Sequence, residues 1–287
     1  MPSQVDATRI DGEDVHHDAP SDRQLNGLWN DEIMHSDVAD LRDFYATPLG
    51  QVSRRLISRP IRKAWQGRSM ETVIGLGFAA PYLGAFKADA RRLGAMMPTR
   101  QGALVWPTKG PKQSVLADEE DLPLADNSVD ALLVVHGLEM ADRPQQMLRE
   151  IWRVLAPEGQ VIIVVPNRRG IWARTDSTPF GFGRPYSRGQ LEQLLIDAML
   201  LPKNWDYALY MPPLARNVFV RSSVAWERIG HRFASGFSGV LIVEASKEMS
   251  APAGKLQRVR AMPDLLPVGK LVPRPKPISK DGHKQRF

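Results

Sequence analysis

Two short, uninterrupted apolar runs, at residues 131–135 and 161–165, constrain this chain more than any other feature. Each is strand-length, far short of the ~20 residues a membrane-spanning helix needs. Neither alternates with polar residues, the pattern of strands buried on both faces of a parallel sheet. The stretch between them, ADRPQQMLREIWRVLAPEG, carries Met147, Leu148, Ile151, Val154 and Leu155 as one apolar helical stripe. Asp142 is its expected N-cap, with Gln145 as capping-box partner and Pro144 in the first turn. Pro157-Glu158-Gly159 ends it. Strand, helix and strand in this order form the repeating unit of a doubly wound sheet.

The pattern extends in both directions. Residues 37–65 read as two helical pieces. Val38, Leu41 and Tyr45 share one face, Val52 and Leu56 then Ile57, Ile61 and Trp65 recur at spacing four, and Pro60 is expected to kink or split the second piece. Strands are expected at 72–74, 94–97 and 102–106, with a helix over 81–93. Downstream, Ser187 and Gln190 form a capping box for a helix, and SGVLIVEASK is a last strand. The expected fold is α/β: a doubly wound, Rossmann-like, mostly parallel sheet with helices on both faces and an N-terminal helical extension.

Charge divides the chain further. Residues 1–25 hold six acids against Arg9 and Arg23, a net −4, and residues 251–287 hold nine Lys/Arg against Asp264 and Asp281, a net +7. The formal +6 therefore owes most to the tail, which also has six prolines in 37 residues. We expect a disordered acidic head at 1–28, a domain at 29–250 and a basic, proline-rich tail at 251–287 capable of weak anionic contacts. No cysteine is present. That excludes disulfides, thiolate metal sites and cysteine nucleophiles, and agrees with a cytoplasmic location. The six histidines show no metal-ligand spacing, so no metal is expected. The acidic N-terminus does not read as a signal peptide.

The stretch TVIGLGFAAPYL fits the G-x-G-x-x-G/A pattern at Gly75, Gly77 and Ala80. By itself it is either a nucleotide-binding turn or a structural strand-to-helix turn. A nicotinamide site wants an acid at the end of the second strand, where Met97 and Pro98 stand, and no Gly-Lys-Ser/Thr follows for a P-loop.

The second half discriminates further. Asp118, then Leu122-Pro123-Leu124-Ala125-Asp126-Asn127-Ser128-Val129-Asp130, an apolar strand, and Arg153-Val154-Leu155-Ala156-Pro157-Glu158-Gly159 resemble the class I S-adenosylmethionine-dependent methyltransferases, particularly the type 11 group. The likeness is close over about 50 residues and loose over about 100. It implies S-adenosylmethionine as cofactor and methyl transfer to an unidentified acceptor, a small molecule before a nucleic acid. It implies that Gly75, Leu76 and Gly77 pass under the methionine and ribose. Asp118 would accept from the adenine amino group, and the Glu119 N–H would meet an adenine ring nitrogen. His136 and Gly137 would line the methyl-transfer side.

Two family acids are missing: Ile74 precedes the first glycine, with Glu71 nearby, and Met97-Pro98 end the second strand. Loss of a bidentate carboxylate should weaken binding by ~1.5–3 kcal/mol unless Arg100, Gln101 or a tail residue substitutes. The missing acids leave open an alternative, a methyltransferase-like module without catalysis. The candidate catalytic residues are His136, a base or else a strand-end histidine bound to backbone, and Tyr186. Arg184 and Tyr186, in the glycine-rich FGFGRPYS loop, are candidate acceptor contacts; Arg184 paired to Asp176 is the plainer reading. Trp172 and Phe180 are candidate apolar walls. Glu139 reads as a helix-entry or solvated residue, and His231 as a surface one.

Overall fold

A computed structural model describes residues 37–214 and 235–248, with 222, 223, 225–227 and 230 between them. The expected head and tail, and His231, lie outside the described residues.

Helix α1, Val38–Ala46, starts at Asp37, whose carboxylate accepts from Ala39 N at 2.8 Å. Helix α2, Pro48–Trp65, starts at Thr47, whose hydroxyl accepts from Gly50 N. It runs unbroken through Pro60, where a kink or a split was expected, so the split does not occur. Leu56, Ile57, Ile61 and Trp65, all buried, hold it in the core on either side of the proline.

Strand β1, Met70–Gly77, leads into α3, only Ala80–Leu83, and a 3-10 turn at Gly84–Phe86. Strand β2, Ala90–Pro98, therefore takes over residues expected in a helix to 93. Arg91 and Arg92 are cross-strand partners of Glu71, 3.0 and 3.6 Å away, rather than a helix's solvent face. Strand β3 is Ser114–Ala117, not 102–106. The earlier run is looped: Leu104 N donates to Met97 Sδ, Trp106 N to Ser114 Oγ and Gln113 N to Trp106 O. Strand β4, Val129–Val135, precedes α4, Pro144–Val154, and β5, Leu155–Pro166. The N-cap of α4 is Arg143, not Asp142, because Pro144 takes the first helical position; Asp142 pairs with Arg100 instead. Helix α5, Arg188–Asp197, opens on the complete Ser187/Gln190 capping box. Strands β6, Leu200–Ala208, and β7, Val240–Lys247, finish the sheet.

The order is β3-β2-β1-β4-β5-β7-β6. The first five strands are parallel, and β7 runs antiparallel to both neighbours. Alternation along each strand sorts the core into two layers. Val73, Leu133, Val135, Ile162 and Val164 face α1, α2 and α3, whereas Ile74, Leu76, Leu132, Val134 and Ile163 face α4 and α5. Among the described residues, no helix is long and apolar enough to cross a membrane.

Candidate functional site

The helices after β1 and β4 pack on opposite faces of the sheet, so the strand order reverses between these neighbours. In open α/β sheets such a switch point forms a ligand crevice beyond the strands' carboxyl ends. Both glycines belong to β1, and steric demand explains each. A Cβ at Gly75 would meet Ala79 Cβ at 2.7 Å and Leu83 Cδ1 at 2.8 Å, so its absence lets α3 lie against the strand. Gly77 has φ +77, and a Cβ there would lie 2.4 Å from Val135 O. Phe78 N donates to the same carbonyl at 2.7 Å. The Leu76 side chain is fully buried toward α4, so at the strand end it offers only backbone.

His136 follows β4 directly, with φ 48, a left-handed conformation uncommon outside glycine. Its ring is 1% exposed. Nε2 lies 3.0 Å from Tyr45 Oη, which lies 2.9 Å from Tyr82 Oη. Nδ1 lies 3.2 Å from Glu139 Oε1 without hydrogen-bond alignment, and Glu139 Oε2 has no partner. Nε2 accepts from Tyr45 or donates to it according to the tautomer. Phe180 packs on the imidazole at 4.8 Å between ring centroids, and Trp172 packs on Phe180 at 5.4 Å. Glu139 is buried, not solvated. Gln101 Nε2 donates to His136 O at 2.9 Å, while its buried Oε1 has no partner.

Burial pushes the Tyr45 and Tyr82 phenols well above their ordinary value. Burial, with the Glu139 charge adding, pushes Tyr186 up to about 12. All three are therefore neutral near pH 7, which makes Tyr186 a donor rather than a base. Its hydroxyl donates to Leu138 O at 3.4 Å.

The structure brings Gly75, Leu76, Gly77, His136, Gly137 and Tyr186 to the β1/β4 end of the sheet. Asp118 and Glu119 follow β3, two strands away. Asp118 is exposed and its Oδ1 accepts from Glu120 N at 2.9 Å. Glu119 is half-buried, and desolvation raises its carboxyl pKa. The Arg184 N–H donates to Glu139 O at 2.8 Å while the residue stays exposed. No ion pair joins it to Asp176 among the described residues. Two proposed substitutes for the missing acids are engaged elsewhere: Glu71 with Arg91 and Arg92 before the crevice end of β1, and Arg100 with Asp142. Gln101 keeps an unsatisfied acceptor. Tyr45 and Tyr82 were missed by sequence reasoning; their signal was a hydroxyl on otherwise apolar helical faces.

An open α/β sheet whose strand order reverses between β1 and β4 defines the class. The comparisons narrow it. Residues 68–163, about a third of the chain, match the family model described as a methyltransferase domain. An uncharacterised protein of Methanocaldococcus jannaschii is 32% identical over 104 residues, 36% of this chain and 46% of its own length. The chain thus spans less than half of that relative. The ubiquinone/menaquinone biosynthesis C-methyltransferase of Rubrivivax gelatinosus is 41% identical over 63 residues, 22% of this chain and 25% of its own. An S-adenosylmethionine-dependent methyltransferase of Thermotoga maritima shares the fold with a TM-score of 0.50 at 14% identity, covering 74% of this chain and 96% of its own.

Proposed function

We propose that this protein binds S-adenosylmethionine at the β1/β4 switch point and transfers its methyl group to a small-molecule acceptor in the cytoplasm. The observation that carries the reading is the buried acceptor Gln101 Oε1, without a partner, beside the strand ends where the family places its cofactor. A buried unsatisfied acceptor is uncommon in a folded protein and marks a place for a donor. A ribose hydroxyl supplies one, so Gln101 takes the part of the carboxylate missing at Met97-Pro98.

The residues fit the group in other respects. Gly75, Leu76 and Gly77 offer backbone where no side chain intervenes. Asp118 offers an exposed carboxylate to the adenine amino group, and Glu119 its N–H. When bound, the sulfonium supplies an activated methyl group for in-line displacement. The chain's own part is to align the acceptor, exclude water with Phe180 and Trp172, and remove a proton where the acceptor carries one. His136 is the residue for that proton, with Glu139 orienting its ring. Tyr45 occupies Nε2 in this conformation, so it must shift or relay the proton. Arg184 and the neutral Tyr186 belong on the acceptor side. Residues 29–250 form the catalytic domain, and the basic tail adds anionic contacts.

Calorimetric titration with S-adenosylmethionine and S-adenosylhomocysteine tests the reading. The expected result is saturable binding, weakened about tenfold or more in Asp118→Ala and in Gln101→Leu. Absence of binding by the folded protein at ~1 mM cofactor would overturn it.

A further inference from the structure

A cleft of about 370 Å³ lies between α2 and α3, and the methyl-transfer reading leaves it unused. Its lining includes Gln51, Arg54, Arg55, Ser58, Arg62 and Tyr82. These α2 residues fall on one helical stripe, opposite the face that buries Val52 and Leu56. Helix α2 carries Arg54, Arg55, Arg59, Arg62 and Lys63 and no acid.

Two other clefts border α2, and each contains carboxylates: Asp206 with Glu244, and Asp206 with Glu227. The first cleft contains none, and no ion pair joins Arg54, Arg55 or Arg62 to an acid among the described residues. Guanidinium groups are planar, permanently charged donors that bind phosphoryl oxygens in pairs. The volume suits a small molecule. The cleft wall also reaches the site above, because Tyr82 is bonded to Tyr45 and Tyr45 to His136.

We propose that this cleft binds the phosphoryl group of a small phosphorylated molecule, with Arg54, Arg55 and Arg62 as its ligands. The site stands whether or not methyl transfer is confirmed. It is tested by titrating inorganic pyrophosphate into the full chain by calorimetry. The wild type, Arg54→Gln/Arg62→Gln, Ser58→Glu and the charge-matched tail variant Arg258→Gln/Arg260→Gln are compared, with thermal melts confirming that each folds. The expected result is saturable binding weakened about tenfold or more in the two cleft variants and unchanged in the tail variant. Equal weakening in cleft and tail variants, or no saturable binding by the wild type, would overturn the proposal. A parallel titration with malonate separates phosphoryl from carboxylate recognition. Weaker malonate binding supports the assignment, and equal or tighter binding overturns it.

Discussion

The β1–α3–β2 region and the β4–α4–β5 region reach the same end of the sheet by different physics. In the second, a side chain holds the chain together. The Arg153 guanidinium donates to the carbonyls of Leu122 and Leu124, to Asp126 at 2.6 Å and to Glu150 at 2.7 Å, and Leu122 N donates to Glu150. In the first, backbone approaches backbone, and glycine makes that possible at Gly77. The Leu122–Asp130 stretch and Arg153, which carry the family resemblance most plainly, therefore serve as a clamp that closes the β3–β4 connection onto α4. The residues expected to meet a ligand lie elsewhere, on Asp118, Gln101 and the glycine-bearing strand. A chain can keep its clamp and alter its ligand contacts independently, as the missing acids around β1 and β2 illustrate.

The largest expected effect falls on the backbone-limited region. Gly77→Ala should cost about 3 kcal/mol or more in urea denaturation, because it adds a Cβ at positive φ against Val135 O. Gly84→Ala is the control: nothing lies within 4 Å of its added Cβ, and stability should hold or rise by up to ~1 kcal/mol. Equal losses at both positions would break the distinction.

Tyr45→Phe comes next. It keeps the ring stacked on Phe78 but removes the hydroxyl between Tyr82 and His136. The expected loss is about 1–2 kcal/mol by chemical denaturation, and an unchanged midpoint would show that the hydroxyl chain contributes nothing.

The smallest effect tests the clamp. The hydrogen bond from Arg153 holds the Glu150 carboxyl below its ordinary range. A depressed carboxyl stabilises the fold fully above the unfolded-state pKa and loses that contribution as pH falls through the folded-state value. The advantage of wild type over Glu150→Gln should be about 1 kcal/mol near neutrality and shrink below about pH 4, as followed by melts across pH. An advantage that grows toward acid would contradict the clamp.

The same contrast explains what the sequence revealed. Apolar runs are local, so β4, the body of α4 and the 160–166 part of β5 were readable, as was the Ser187 cap of α5; the Asp142 cap expected for α4 was not. The first crossover was not, because its α3 is four residues long and Arg91 and Arg92 answer to Glu71 across a strand. Edge strands were equally opaque. In β3, Val115 and Leu116 are 48% exposed, and β6 carries Pro202 and Asn204 at a register shift on the sheet's rim, where such residues are tolerated. At the site, Gly75, Gly77 and His136 were legible as strand-end residues. The Tyr82–Tyr45–His136 chain was not, since it joins residues 37 and 91 positions apart.

The central claim is that the β1/β4 switch point holds the cofactor, and hydrogen-exchange mass spectrometry with and without saturating S-adenosylhomocysteine tests it most directly. The account predicts slowed exchange in peptides spanning 75–79, 118–120 and 136–139. Saturation with unchanged exchange in all three, and protection elsewhere, would contradict it.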